Sequence, residues 1–186
     1  MYHGQHWLIK QTHLVVVSAK TTSDPSKTTP FPPDPNSLES TINTVEREIR
    51  EAGGEAIALA VDTRDVDAIN HLVKQTVDTH GKLDVLVYNS GAIWWSSVEN
   101  TPVKRFQLMQ QVNPEGPYAS VLAALPYFGK NAWKGRIVVV SPPIYSRFFR
   151  GKTAYAMGKV GMSVLTKGLA MARDGRIWPL PVYGLQ

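Results

Sequence analysis

Short, unbroken apolar runs that alternate with longer amphipathic stretches constrain this chain more than any other feature. Residues 13–18 (HLVVVS), 55–61 (EAIALAV), 83–88 (LDVLVY) and 136–140 (RIVVV) are apolar without a polar alternation, the pattern of strands covered on both faces. Between them lie helical patterns. Residues 38–52 place Leu38, Ile42, Val45 and Ile49 at three- and four-residue steps before Gly53-Gly54. Residues 66–80 follow Asp65, a capping residue, and stop at Gly81. A long stretch over 102–128 is interrupted near Pro114 to Pro117, and 153–172 forms a last strong helix. Strands separated by helices of this length predict an α/β fold, a doubly wound parallel sheet with right-handed crossovers. Residues 21–37, rich in Pro, Ser, Thr and Asp, predict a loop that is long for a compact domain.

Several function classes drop out. The chain has 186 residues, enough for one well-filled domain, and 43% of them are hydrophobic, which suits a real core. With no cysteine there is neither a disulfide nor a thiolate metal site. The net charge of +5 comes from scattered pairs such as Arg47/Arg50, Lys104/Arg105 and Arg147/Arg150, with no basic stripe interleaved with aromatics. That argues against a nucleic-acid partner and for a surface that favours an anionic cofactor. No apolar run has membrane-span length and the first fourteen residues lack a signal-type core. The expectation is a cytoplasmic protein without a membrane partner, an organelle remaining open. His3 and His6 lie close together near the terminus without a carboxylate cluster, so no metal is expected.

In a parallel sheet, ligands bind beyond the carboxyl ends of the strands. The residues there are Lys20 and its neighbours, Asp62, Asn89-Ser90-Gly91 and Ser141. Tyr155 and Lys159 stand four apart at the start of the last helix and share one face. An ammonium beside a phenol favours the phenolate, lowering its pKa from about 10 towards neutrality and making Tyr155 a usable acid or base. Ser141 closes the fourth run fourteen positions earlier, where a hydroxyl can bond a reacting oxygen. Asn113 precedes Pro114, where a missing backbone donor kinks a helix and an amide can hold a proton-relaying water. Singly, Ser141 reads as well as a turn residue before Pro142-Pro143, and Asn113 as a helix cap; the four together favour a site. Trp94-Trp95 and Phe148-Phe149 fit a hydrophobic substrate pocket or ordinary packing equally.

The segments VDTRD (61–65), LVYNSGA (86–92), LMQQVNPEGPY (108–118), RIVVVSPP (136–143) and YAMGKVGMSVLTKGLA (155–170) resemble the short-chain dehydrogenase/reductase family. The AKT after the first run and the SPP after the fourth resemble its hydroxysteroid dehydrogenase-like branch. Tyr88 and Ser90 replace residues of the family's usual NNAG. The resemblance implies a Rossmann-like oxidoreductase that interconverts a carbonyl and an alcohol, with a small-molecule substrate. It implies catalytic residues Asn113, Ser141, Tyr155 and Lys159. Tyr155 would move the proton, Ser141 orient the oxygen, Lys159 bind the nicotinamide ribose and tune Tyr155, and Asn113 maintain the water relay. Asp62 would face the adenine, and Asn89, Ser90 and Gly91 would line the cofactor. Lys20 stands where a basic side chain meets a 2′-phosphate, so NADP(H) is favoured over NAD(H). A homo-oligomer through the long helices is also implied.

The family's opening strand and glycine-rich TGxxxGxG turn have no counterpart in MYHGQHWLIKQT. The resulting expectation is a non-family segment over 1–12, a partial Rossmann-like domain over 13–173 and a truncated segment over 174–186. The sheet would lack its first and last strands, with the sixth strand largely deleted. The runs 13–18 and 83–88 would then either pair directly or leave their inner edges bare. Activity would be impaired, and the alternative is an inactive fragment that serves as a binding or dimerisation partner.

Overall fold

The computed structural model describes residues 14–20, 41–142, 149–171 and 182–185. The proline-rich segment 21–37, His3, His6 and Phe148 lie outside the described residues. The chain divides into two compact units, with the boundary after Asp62.

The first unit is a strand–helix–strand crossover. Strand β1 (Leu14–Ala19) and strand β2 (Glu55–Ala60) pair in parallel, from Leu14 opposite Glu55 to Ala19 opposite Ala60. Helix α1 (Ile42–Glu51) joins them. Its first turn is fixed by Thr41, whose hydroxyl accepts the Thr44 N–H at 3.3 Å, satisfying a donor that has no partner inside the helix. Ile42 and Ile49, two turns apart, bury one face of α1, while Ala56 and Val61 are the buried residues of the β2 region. Arg50 Nε donates to the Ala56 carbonyl at 3.0 Å and ties helix to strand. Gly53 takes φ +83°, a left-handed turn that the short link from α1 to β2 requires.

The second unit holds a parallel sheet in the order β3-β4-β5, with β3 at Val85–Tyr88, β4 at Arg136–Val140 and β5 at Val182–Leu185. Helix α2 (Val66–His80) begins at Asp65, whose carboxylate accepts the Ala68 N–H at 3.0 Å, and ends at Gly81 with φ +80°, as the sequence pattern predicts. Helix α3 (Val103–Gln110) runs through a π-helical turn (Gln111–Glu115) into helix α4 (Gly116–Lys130). Helix α5 (Thr153–Met171) follows β4. Phe128, Ala124, Ile137, Val139 and Met162 form the core between the helices and β4, none more than 1% exposed.

Two expectations need correction. A strand does follow α5: Val182–Leu185 pairs in parallel with β4, Ile137 standing opposite Val182. The sequence hid it because VYGL is short, with Pro179 and Pro181 just ahead of it. The runs 13–18 and 83–88 also differ from strands covered on both faces. They belong to separate sheets among the described residues. Leu14, Val85 and Val87 are exposed large hydrophobics, so one face of β3 is left uncovered among the described residues, and β1 and β3 are edge strands of their sheets.

Candidate active site

The site of the second unit is built around the π turn. An α-helix bonds each N–H to the carbonyl four residues back. Here the Gly116 N–H reaches Gln111, five residues back. The wider turn inserts one residue and rotates the helix beyond it. Two prolines impose it, Pro114 inside the turn and Pro117 at the start of α4, since neither has an N–H to continue the ladder. The sequence predicts the interruption; the wider turn is the tertiary outcome.

The turn carries Asn113 into the interior, 0% exposed. Its amide pairs with one backbone residue as a strand would. The Ala92 N–H donates to Oδ1 at 3.0 Å, and Nδ2 donates to the Ala92 carbonyl at 3.0 Å. Asn113 thus holds the turn beyond β3, which includes Asn89, Ser90 and Gly91. Both amide groups are engaged with Ala92, so the observed part of Asn113 is to fix this turn rather than to present a free amide to water.

Helix α5 lies closely on the π turn because two of its residues lack side chains. A Cβ on Gly158 would stand 3.1 Å from Asn113 Cβ, and one on Gly161 would stand 2.9 Å from Pro114 Cβ. This approach delivers Lys159. Its Nζ lies 3.3 Å from where a Gly91 side chain would begin, with Asn113 Oδ1 at 3.6 Å from the same point. Nζ also stands over the Tyr155 ring, 5.9 Å from its centroid. Lys159 and Tyr155 are 6% and 7% exposed, and Lys159 forms no ion pair among the described residues.

The electrostatics depart from the sequence expectation. Burial pushes the Tyr155 phenol up, away from neutrality, and pushes the Lys159 ammonium down. Desolvation disfavours the charged form of each, and at this ring-to-ammonium distance the attraction does not offset it. The lowered phenol pKa expected from helical spacing is therefore corrected.

Ser141 lies just past β4. The β3–β4 register sets Tyr88 opposite Val139, so the 89–91 turn and Ser141 leave the sheet side by side at its carboxyl edge. Ser141 Oγ is buried and finds no hydrogen-bond partner among the described residues. A buried hydroxyl left unpaired is costly and needs a reason. Trp94 packs on the buried group of Met109, Ala154, Tyr155 and Ala156, with Arg105 over its ring at 4.6 Å. Trp95 is 66% exposed, with Lys152 Nζ 4.8 Å from its ring centroid. Trp94 is thus packing, and only Trp95 faces outward. An open cleft of about 790 Å³ along α3, lined by Arg64, Lys104, Arg105 and Glu115 among others, is touched by none of the four residues of the cluster.

In the first unit, Lys20 and Asp62 sit just beyond the carboxyl ends of β1 and β2. Lys20 Nζ and Asp62 Oδ2 are 3.4 Å apart, so the two residues singled out for the cofactor's adenosine end meet each other. Among the described residues no group of His, Asp and Glu could hold a metal ion.

The sequence marks Tyr88 only as a departure from NNAG, and Gly158 and Gly161 were missed. The glycine pair had a visible signal, two small residues three apart on one helix face beside the Tyr-Lys pair.

Comparison with known proteins bears on the family and the fold. The family model described as short chain dehydrogenase matches residues 36–176. Hydroxysteroid dehydrogenase-like protein 2 of Mus musculus is 36% identical over 172 residues, covering 89% of this chain and 33% of that protein. The same protein of Danio rerio is also 36% identical, with 39% of its length covered. The chain thus spans 31% to 39% of the length of the curated relatives it matches. Among solved structures, a short chain dehydrogenase of Mycobacterium thermoresistibile is 34% identical at TM-score 0.69, covering 87% of this chain and 55% of that one. A metagenomic short-chain oxidoreductase in complex with NADP is 26% identical at TM-score 0.69, covering 92% and 70%. With a Rossmann-like α/β fold and a family match across most of its length, the chain belongs to the short-chain dehydrogenase family of oxidoreductases.

Proposed function

We propose that this chain interconverts a carbonyl and an alcohol with NADP(H), using Asn113, Ser141, Tyr155 and Lys159. The observation that carries the reading is the buried Lys159 ammonium, held between Gly91 and the Tyr155 ring without an ion pair among the described residues. Burying an unpaired cation is expensive, and such groups cluster at functional sites. The nicotinamide end of a cofactor suits these residues: Lys159 offers donors to a ribose hydroxyl, and Gly91 leaves space beside it. A nicotinamide bound there would supply the hydride chemistry. Tyr155 gives the proton to the substrate oxygen or takes it back, and the raised phenol pKa makes it the acid of the reducing direction. The unpaired Ser141 hydroxyl holds that oxygen as charge develops on it. Asn113 keeps the 89–92 turn in place.

Lys20 supports NADP(H) over NAD(H): it is 69% exposed beside Asp62 and able to meet a 2′-phosphate. The solved relative in complex with NADP supports the same choice. These 186 residues contain no TGxxxGxG turn, so the pyrophosphate lacks its usual backbone donors and cofactor binding by this chain alone is weak. Fluorescence titration with NADPH tests that, and micromolar affinity overturns it. NADPH oxidation with a panel of aldehydes and ketones tests the activity. The expected result is slow turnover that Tyr155→Phe abolishes; turnover unchanged in that variant sinks the assignment.

A second reading is supported by the helix surfaces. On α4, Tyr118 and Leu122 are exposed one turn apart, and on α5, Met157, Val164 and Met171 are exposed at seven-residue steps. These apolar stripes suit pairing with a second copy or a relative. Measuring mass in solution, alone and with a full-length relative, decides it.

A further inference from the structure

The residue ahead of the Asn89-Ser90-Gly91 turn is Tyr88, where the family usually has asparagine. Its ring lies in the main core of the second unit and it is 5% exposed. Its hydroxyl reaches 24 residues along the chain and donates to the Val112 carbonyl at 2.5 Å.

The Val112 carbonyl sits at a gap in the helical ladder. In an α-helix it would accept from Gly116, four residues on, but that N–H is given to Gln111. In the π register it would accept from Pro117, which has no N–H. Both helical donors are gone, and Val112 is the residue immediately before Asn113. We propose that Tyr88 is a positioning residue: its hydroxyl replaces the N–H that Pro117 cannot supply, and so locks the π turn that aims Asn113 at Ala92.

Three further observations agree. Burial pushes the Tyr88 phenol up to about 12, partly offset by a hydrogen bond with Thr63, so the hydroxyl stays a donor throughout ordinary pH. Gly116 leaves room for it: a side chain there would run into the Tyr88 hydroxyl. The turn fixed in this way is flanked by Gly158 and Gly161 of α5, which bring Lys159 to Gly91. Tyr88 acts on the cluster through Val112 and Asn113. Its bearing on catalysis rests on the reading of Tyr155 and Lys159 given above, whereas the contact itself does not.

The test is a double-mutant cycle on the full chain, read by amide hydrogen exchange at Ala92, whose N–H is held by Asn113. Tyr88→Phe keeps the ring and removes the hydroxyl, with its bonds to Val112 and Thr63. Exchange at Ala92 is expected to quicken about tenfold, the size of one lost hydrogen bond expressed locally. Pro117→Ala returns an N–H at the gap, so exchange in the Tyr88→Phe/Pro117→Ala protein is expected to fall back towards the parent. Val121→Ala, which thins the same core cluster, serves as the control for general loosening. Unchanged Ala92 exchange in Tyr88→Phe overturns the proposal. So does an increase no larger than in Val121→Ala, or a failure of Pro117→Ala to restore protection. Where the parent turns over substrate, kcat should track the same cycle with cofactor KM little moved. A parent without turnover refutes the catalytic reading and leaves the exchange result standing.

Discussion

The two units place their polar residues in opposite ways. In the first, Lys20 and Asp62 project from the ends of β1 and β2 and find each other across 3.4 Å. In the second, Asn113, Ser141, Lys159 and Tyr155 are each no more than 7% exposed and are set among packed glycines and a π turn. An exposed ion pair contributes little and is readily exchanged for another partner, such as a phosphate. A buried cluster is held by everything packed around it, so a change there is felt in both stability and chemistry. The lesson is a contrast of settings: an exchangeable ion pair at an open strand end, and titratable groups in a buried and closely packed interior.

The sharpest way to break this comparison is Tyr155→Phe. On the proposed reading it removes the proton donor and keeps the ring, so turnover should fall at least about 10²-fold with the fold intact. A rate assay together with circular dichroism checks it. Gly161→Ala should cost about 1–3 kcal/mol, because its methyl meets the Pro114 ring rather than a flexible chain end. Thermal or urea unfolding measures that, and a neutral result would mean that α5 is not seated on the π turn.

Lys159→Met sharpens the comparison from the other side. The folded-state pKa of Lys159 is lowered, so the folded protein holds fewer protons than the unfolded chain between that pKa and the ordinary lysine value of 10.5, and stability rises with pH across this window. The penalty is fully present below the folded-state pKa. The variant should therefore be more stable than the parent by about 1 kcal/mol at pH 7 while losing activity. The advantage should close as pH approaches 10.5. Tyr155, whose pKa is raised from 10.0, acts oppositely and removes stability as pH climbs above that value. Unfolding curves across the alkaline range show both signs. The smallest stability effect belongs to the first unit: Lys20→Ala should change it by under about 0.5 kcal/mol. The same variant should lower NADPH affinity about tenfold with NADH affinity unchanged; equal loss of both would remove Lys20 from cofactor selection.

Much of this molecule was legible in the chain. Helix α2 was readable end to end from Asp65 and Gly81, and β4 from RIVVV, because caps, turns and apolar runs are local signals. The interruption at Pro114 to Pro117 was legible for the same reason. Strand β5 was not, since four residues just past two prolines become a strand only when β4 offers them an edge. The pairing of Tyr88 with Val112 was invisible too, because no periodicity links positions 24 residues apart.

The sequence by itself determined the α/β class and the family and singled out the candidate site residues, since these arise from patterns within a few turns of chain. Tertiary structure alone decided how those residues behave. It widened a kink into a π turn, committed Asn113 to Ala92 and drew Lys159 to Gly91. It also reversed the expected direction of the Tyr155 pKa. The physical reason is that desolvation and close packing depend on what surrounds a group in space, and helical spacing can bring an ammonium near a phenol without saying how much water is left between them.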